Sequence, residues 1–162
     1  MPRDLDPRWR MLQTARRKLA FAHSLEDIAA IVRSDARAIA GADGVTFVLG
    51  EGNRCHYFDE DAIEPLWKGQ RFPMNVCISG WAMMNGKSAA IEDIYSDPRV
   101  LHEAYRKTFI KSLIMVPVRT TAPVAALGAY WREQRSFAED DVAAIEAIAD
   151  AVGIAMSTAQ VA

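Results

Sequence analysis

A chain of 162 residues with 51% hydrophobic and 25% charged residues is an ordinary globular mixture, large enough to bury roughly two-thirds of its unfolded surface and far from the composition of disorder. A net charge of −2 and a pI near 5.9 leave no broad basic field, which argues against nucleic acid and against an anionic membrane as partners. No apolar run has the length of a membrane span and the N-terminus lacks the apolar core of a signal peptide, so the expected setting is cytoplasmic.

In chain order, Trp9, Leu12, Ala15, Leu19 and Ala22 recur at helical spacing between Pro7 and His23, predicting an amphipathic helix whose other face is basic. Ser24 stands at an N-cap position with Asp27 three residues on, and Leu25, Ile28, Val32, Ala36 and Ile39 form the stripe of a second helix that Gly41 stops. Val45 to Leu49 and Arg54 to Phe58 read as a hairpin around Gly50-Glu51-Gly52-Asn53. Glu60 to Lys68 has Ile63, Leu66 and Trp67 on one side and is expected to form a short helix disturbed by Pro65. Arg71 to Val76 follows as a short strand, Ser79 to Asn85 as a short helix closed by Gly86, and Ala89 to Ile91 as a brief strand.

Asp93 to Phe109 is a connection rich in aromatic residues, with a turn at Asp97-Pro98 and a two-turn helix over Leu101 to Thr108. Ser112 to Val118 and Val124 to Trp131 are unbroken apolar runs joined by Arg119-Thr120-Thr121-Ala122-Pro123. They predict a central hairpin with both faces covered. Ser136, with Glu139 behind it, is expected to cap a last helix buried through Val142, Ile145, Ile148, Ala149, Val152 and Met156. Arg3, Arg8, Arg10, Arg16, Arg17 and Lys18 crowd the first helix, whereas the last carries Glu139, Asp140, Asp141, Glu146 and Asp150. Opposite charge of this kind suits two solvated faces or two helices lying together, within a chain or across a dimer.

Three stretches, Cys77 to Ser88, Ile91 to Pro98 and Phe109 to Val118, resemble the GAF family of small sensory domains, most closely those of bacterial sensor histidine kinases. The order of elements is similar along essentially the whole chain. The resemblance implies an α+β fold, a profilin-like α/β/α sandwich. Its central antiparallel sheet has about six strands, with terminal helices on one face and short helices and loops on the other. It further implies residues 1–23 as a dimer or linker helix, 24–162 as the domain with its signalling helix, a homodimer through the terminal helices and a downstream signalling domain.

Two chemical variants of the family meet obstacles in the residues. Covalent tetrapyrrole attachment, as in photoreceptor members, requires a Cys near Val100-Leu101, and none is present; Cys55-His56 lies far from that place. Reduction of free methionine sulfoxide requires an attacking Cys where Leu101-His102-Glu103-Ala104 stands. Cys77 falls close to another of that enzyme's cysteines and is retained as a redox candidate. Otherwise Cys55 and Cys77 read as buried thiols, since two cysteines without a C-x-x-C pattern build neither a zinc site nor, in a reducing compartment, a disulfide. His23, His56 and His102 are too scattered for a metal triad. The candidate ligand residues are Trp81, Tyr95, Tyr105, Phe109, Met115 and Tyr130 for apolar enclosure, with Asp93, Lys111 and Arg119 for orientation. The expectation is a non-catalytic sensory module without catalytic residues, metal or resident cofactor, which binds an unknown small molecule, dimerises, or does both.

Overall fold

The computed structural model describes residues 6–119 and 124–159. Among them six strands form one antiparallel sheet: β1 (Gly44–Glu51), β2 (Arg54–Ala62), β3 (Arg71–Pro73), β4 (Ala89–Ile91), β5 (Ser112–Val118) and β6 (Ala125–Trp131), in the spatial order β3-β2-β1-β6-β5-β4. Every residue of β5 and β6 is buried. That is why their apolar runs are unbroken: a strand with two covered faces has no wet side to mark with polar residues. Pairing from Ser112 with Trp131 to Val118 with Ala125 makes the predicted hairpin; the Thr120 to Pro123 part of its expected turn lies outside the described residues.

The side chains separate into two layers. Ile114, Val116 and Val118 of β5 and Ala125, Leu127, Ala129 and Trp131 of β6 enter the back layer, while Leu113, Met115, Ala126 and Tyr130 enter the front. Three helices cover the back: α1 (Pro7–Ala20), α2 over 25–40 and α5 (Glu139–Thr158). Leu12, Ala15 and Leu19 of α1, Ile28, Val32 and Ile39 of α2, and Ile145, Ile148 and Val152 of α5 meet there. The Ser24 hydroxyl accepts the Asp27 N–H, and Gly41 ends α2 in the left-handed region at φ 63°. Within α2, Val32–Ala36 forms a π-helical turn that the periodicity did not reveal. From this turn Arg33 pairs with buried Asp59 of β2, and Asp35 accepts from Lys18 of α1 at 3.0 Å.

The opposite charges of the terminal helices meet within the chain. Arg8 of α1 reaches the Asp141 carboxylate of α5 at 3.0 Å. Helix α5 starts later than expected, with Ala138 rather than Ser136 at the N-cap. Alanine has no side-chain acceptor, so the working half of the cap is Asp141 accepting the Ala138 N–H at 2.9 Å.

The front carries α3 (Ile78–Asn85), a 3-10 turn at Ile94–Ser96 and α4 (His102–Tyr105). The expected helix over Glu60 to Lys68 does not form. Strand β2 runs on to Ala62, and the segment after it is a loop around Pro65. There the Glu60 carboxylate accepts the N–H groups of Leu66, Trp67 and Lys68 at 2.7, 2.9 and 2.8 Å. Backbone donors gathered on a side chain hold this loop where a helix would bond them internally. The strand expected to Val76 ends at Pro73, and the helix expected over Leu101 to Thr108 shortens to His102–Tyr105.

Candidate functional site

The front layer is built on a bulge in β2. Phe47 pairs with Asp59 but Val48 with Tyr57, leaving Phe58 as an extra residue. The bulge sends Cys55 and Tyr57 into the front layer while Asp59 meets Arg33 from behind. On the neighbouring β6, a Cβ at Gly128 would collide with the Tyr130 hydroxyl and lie 2.8 Å from both Met115 Cε and Thr46 Oγ1. Only glycine leaves the Tyr130 ring room to lie back along its own strand. The Tyr130 hydroxyl shares a hydrogen bond of 2.8 Å with the Thr46 hydroxyl.

Around that tyrosine stands an edge-on aromatic cluster. Trp67 lies 5.6 Å from Tyr130, 4.7 Å from Tyr105 and 5.3 Å from Tyr57 between ring centroids. The Trp67 indole N–H donates to the Ala104 carbonyl at 3.1 Å, fastening the 63–70 loop to α4. Tyr105 is 3% exposed, and its hydroxyl has no hydrogen-bond partner among the described residues. Burial pushes the Tyr57, Tyr105 and Tyr130 phenols well above the usual tyrosine range. All three therefore remain neutral donors.

The nominated residues fall into three places. Tyr105, Met115 and Tyr130 share this buried layer, with Phe109 packed against it. Trp81, Asp93 and Tyr95 stand on an outer rim. The Arg99 guanidinium lies 4.4 Å over the Trp81 ring, Tyr95 is 42% exposed beside His102, and Asp93 caps the 3-10 turn by accepting the Tyr95 N–H at 3.1 Å. Arg99 also holds Asp97, whose carboxyl it lowers below the usual range. Lys111 and Arg119 are exposed at opposite ends of β5, and Arg119 donates to the Gly86 carbonyl at 2.6 Å. Trp81 nevertheless packs inward against the buried layer, as Phe109 does, while Tyr95 and the strand ends are exposed.

The sequence sets Trp67 on one side of a polar helix, whereas in the structure it occupies the middle of the cluster. The usable signal was Glu60 ahead of Pro65, a carboxylate placed to gather the N–H groups beyond it.

Cys55 of β2 and Cys77, at the N-cap of α3, bring their sulfurs to 3.2 Å. Ser79 Oγ is 3.3 Å from Cys77 Sγ and 3.1 Å from the Tyr57 hydroxyl. A hydrogen bond from the Cys55 thiol comes first in holding Cys77 down at about 6; Ser79 and the N–H groups at the start of α3 add to it and outweigh burial. Cys55 moves up, because its proton is the one shared with the Cys77 thiolate and because it is buried. Among the described residues no group of three or more His, Cys, Asp or Glu side chains is placed to hold a metal ion, and no helix is long and apolar enough to cross a membrane.

The family model described as GAF domain matches residues 22–157. Solved structures with the same fold include a free methionine-R-sulfoxide reductase from Neisseria meningitidis in complex with its substrate. It has 17% identity and a TM-score of 0.80 over 93% of this chain and 88% of that one. The GAF domain of the Acinetobacter phosphoenolpyruvate-protein phosphotransferase has 13% identity and a TM-score of 0.81 over 96% of each chain. A far-red absorbing dark state with bound biliverdin IXa has 19% identity and a TM-score of 0.75 over 93% of this chain and 99% of that one. A search of curated proteins by sequence gives no match.

Proposed function

This chain belongs to the GAF domain family, and from that premise we propose that it is a sensory, regulatory module which binds a small, largely apolar molecule in its front layer and relays the event to its terminal helices. The observation that carries the reading is the Tyr105 hydroxyl, buried beside Tyr57, Trp67 and Tyr130 and without a hydrogen-bond partner among the described residues. A buried hydroxyl in this condition costs about 1–3 kcal/mol, and a ligand with one polar atom would recover that while its apolar body replaced ring contacts. The 63–70 loop and α4 are the elements that would yield to admit it, since both are short, irregular and joined through Trp67.

Relay follows from the sheet. Tyr130 faces the front and Trp131 the back on one strand, so movement of β6 is felt by α5 and by Phe137, whose ring lies 4.9 Å from Trp131. We assign the output to helix pairing in a homodimer and to a further signalling domain of the histidine-kinase type, in the cytoplasm. The absence of a thiol in Leu101 to Ala104 and near Val100 supports a non-catalytic module over a sulfoxide reductase or a covalently pigmented photoreceptor.

Native mass spectrometry of the purified chain tests both halves, reading retained small molecules and dimer mass together. The reading expects a bound mass that Tyr105→Phe reduces. A chain that binds nothing from a metabolite mixture, with hydrogen exchange in α5 unaltered, ends the ligand claim.

A further inference from the structure

The ligand reading leaves Cys55 and Cys77 without a task. Their sulfurs, 3.2 Å apart, are inside van der Waals contact and about 1.2 Å from the length of a disulfide bond. Two thiolates on a tetrahedral zinc ion stand about 3.8 Å apart, from a bond of about 2.3 Å, and no third metal ligand is placed beside this pair among the described residues. The separation therefore favours sulfur–sulfur bonding over metal binding.

Independent elements hold the two residues in place. Cys55 pairs with Phe72 in the β2–β3 ladder. Cys77 opens α3, whose first turn presses on the preceding loop so closely that a Cβ at Gly80 would collide with the Met74 carbonyl. Cys77 Sγ also lies 3.5 Å from the Pro73 carbonyl. Neither sulfur has far to travel.

We infer that Cys55 and Cys77 form an oxidisable dithiol, which small hydroperoxides convert to an intramolecular disulfide that ties the start of α3 to β2. The Cys77 thiolate attacks the terminal oxygen of the hydroperoxide; the O–O bond breaks, and the leaving oxygen takes a proton to depart as alcohol or water. Cys77 is then a sulfenic acid. The Cys55 sulfur attacks the Cys77 sulfur, the S–O bond breaks, and the Cys55 proton leaves with that oxygen as water. Two thiols have lost two electrons to one peroxide, and a dithiol reductant reverses the change by thiol–disulfide exchange. The order of events is set by access and charge: Cys77 is 6% exposed against 0% for Cys55, and Ser79 with the helix N–H groups stabilises its thiolate. Ser79 also touches the Tyr57 hydroxyl, so consumption of the thiolate alters a hydrogen bond that reaches the aromatic cluster.

The test is to treat the full chain with equimolar hydrogen peroxide and map its peptides without reduction. The expected product is the Cys55 peptide joined to the Cys77 peptide, with the loss of two hydrogens, restored by dithiothreitol. Cys55→Ser should stop at a Cys77 sulfenic acid that dimedone captures, and Cys55→Ala gives the same reading if the serine variant does not fold. Sulfinic acid on Cys77 with Cys55 still free, a disulfide between chains, or two unreacted thiols overturns the inference. The readout is a bond in the ligand-free protein, so its failure leaves the ligand reading standing.

Discussion

Tyr105 carries a hydroxyl that folding has removed from water without supplying a partner among the described residues. Tyr105→Phe should therefore raise the stability of the ligand-free chain by about 1 kcal/mol, or roughly 2–4 °C in a thermal melt for a domain of this size. A melt lowered by that amount would mean that the hydroxyl is satisfied in solution. Cys77 makes a second prediction at this scale. The groups facing it are Cys55 and Tyr57 from β2, Ser79 from α3 and the neutral phenols of Tyr105 and Tyr130. Its folded pKa of about 6 lies below the usual thiol range, so the thiolate's contribution to stability is complete above the unfolded value near 8.5 and is lost as pH falls through about 6. Alkylation of Cys77 in the folded chain should half-saturate near pH 6, and a midpoint near 8.5 would remove its activated character. Tyr105, Met115 and Tyr130 could be read from the sequence because aromatic and sulfur side chains in a lid and a covered strand have few places to go. The Cys55–Cys77 approach could not: it depends on the Phe58 bulge and on Met74 backing against Gly80, and both are properties of the folded backbone.

Elements were legible to the extent that their signal was periodic. The β5–β6 hairpin, α1, α2 and α5 each announce a buried stripe or an unbroken apolar run. The 63–70 loop has neither, and the Glu60 carboxylate holds its middle while backbone bonds of Ile63, Gly69 and Gln70 hold its ends. Glu60→Ala should cost about 1–3 kcal/mol by releasing three backbone donors at once, and should shift tryptophan emission to the red as Trp67 gains solvent. An unchanged spectrum would show that the Trp67 rings hold the loop without Glu60. Gly128→Ala acts on a different element in the same layer. Its Cβ would strike the Tyr130 hydroxyl, Met115 and Thr46 together, so the expected loss is about 3 kcal/mol by urea denaturation, the upper part of the range for overpacking a core. A loss below about 1 kcal/mol would mean that Tyr130 has another rotamer available.

For the whole molecule, the proposed output needs a face on the back helices that does not already serve the core. Within the chain, α1 and α5 are joined through Leu12, Ala15, Leu19 and Val152 and through the Arg8–Asp141 pair. Phe21, at the C-cap of α1, is still 78% exposed, and Ile154 of α5 69%. Large apolar side chains on the outside of helices assigned to signalling are where a second copy would dock. Ile154→Glu separates this from folding. An exposed isoleucine contributes little to the monomer, so thermal stability should remain within about 0.5 kcal/mol, while a symmetric dimer would acquire two like charges in its apolar seam and dissociate. Native mass spectrometry at matched concentration reads the outcome directly. If the variant is a monomer with an unchanged melt, the back helices carry the output, and events in the front layer have one strand, β6, to cross before reaching it. If the dimer mass persists, pairing uses another surface, and the path from Tyr130 to α5 ends without an interface to move.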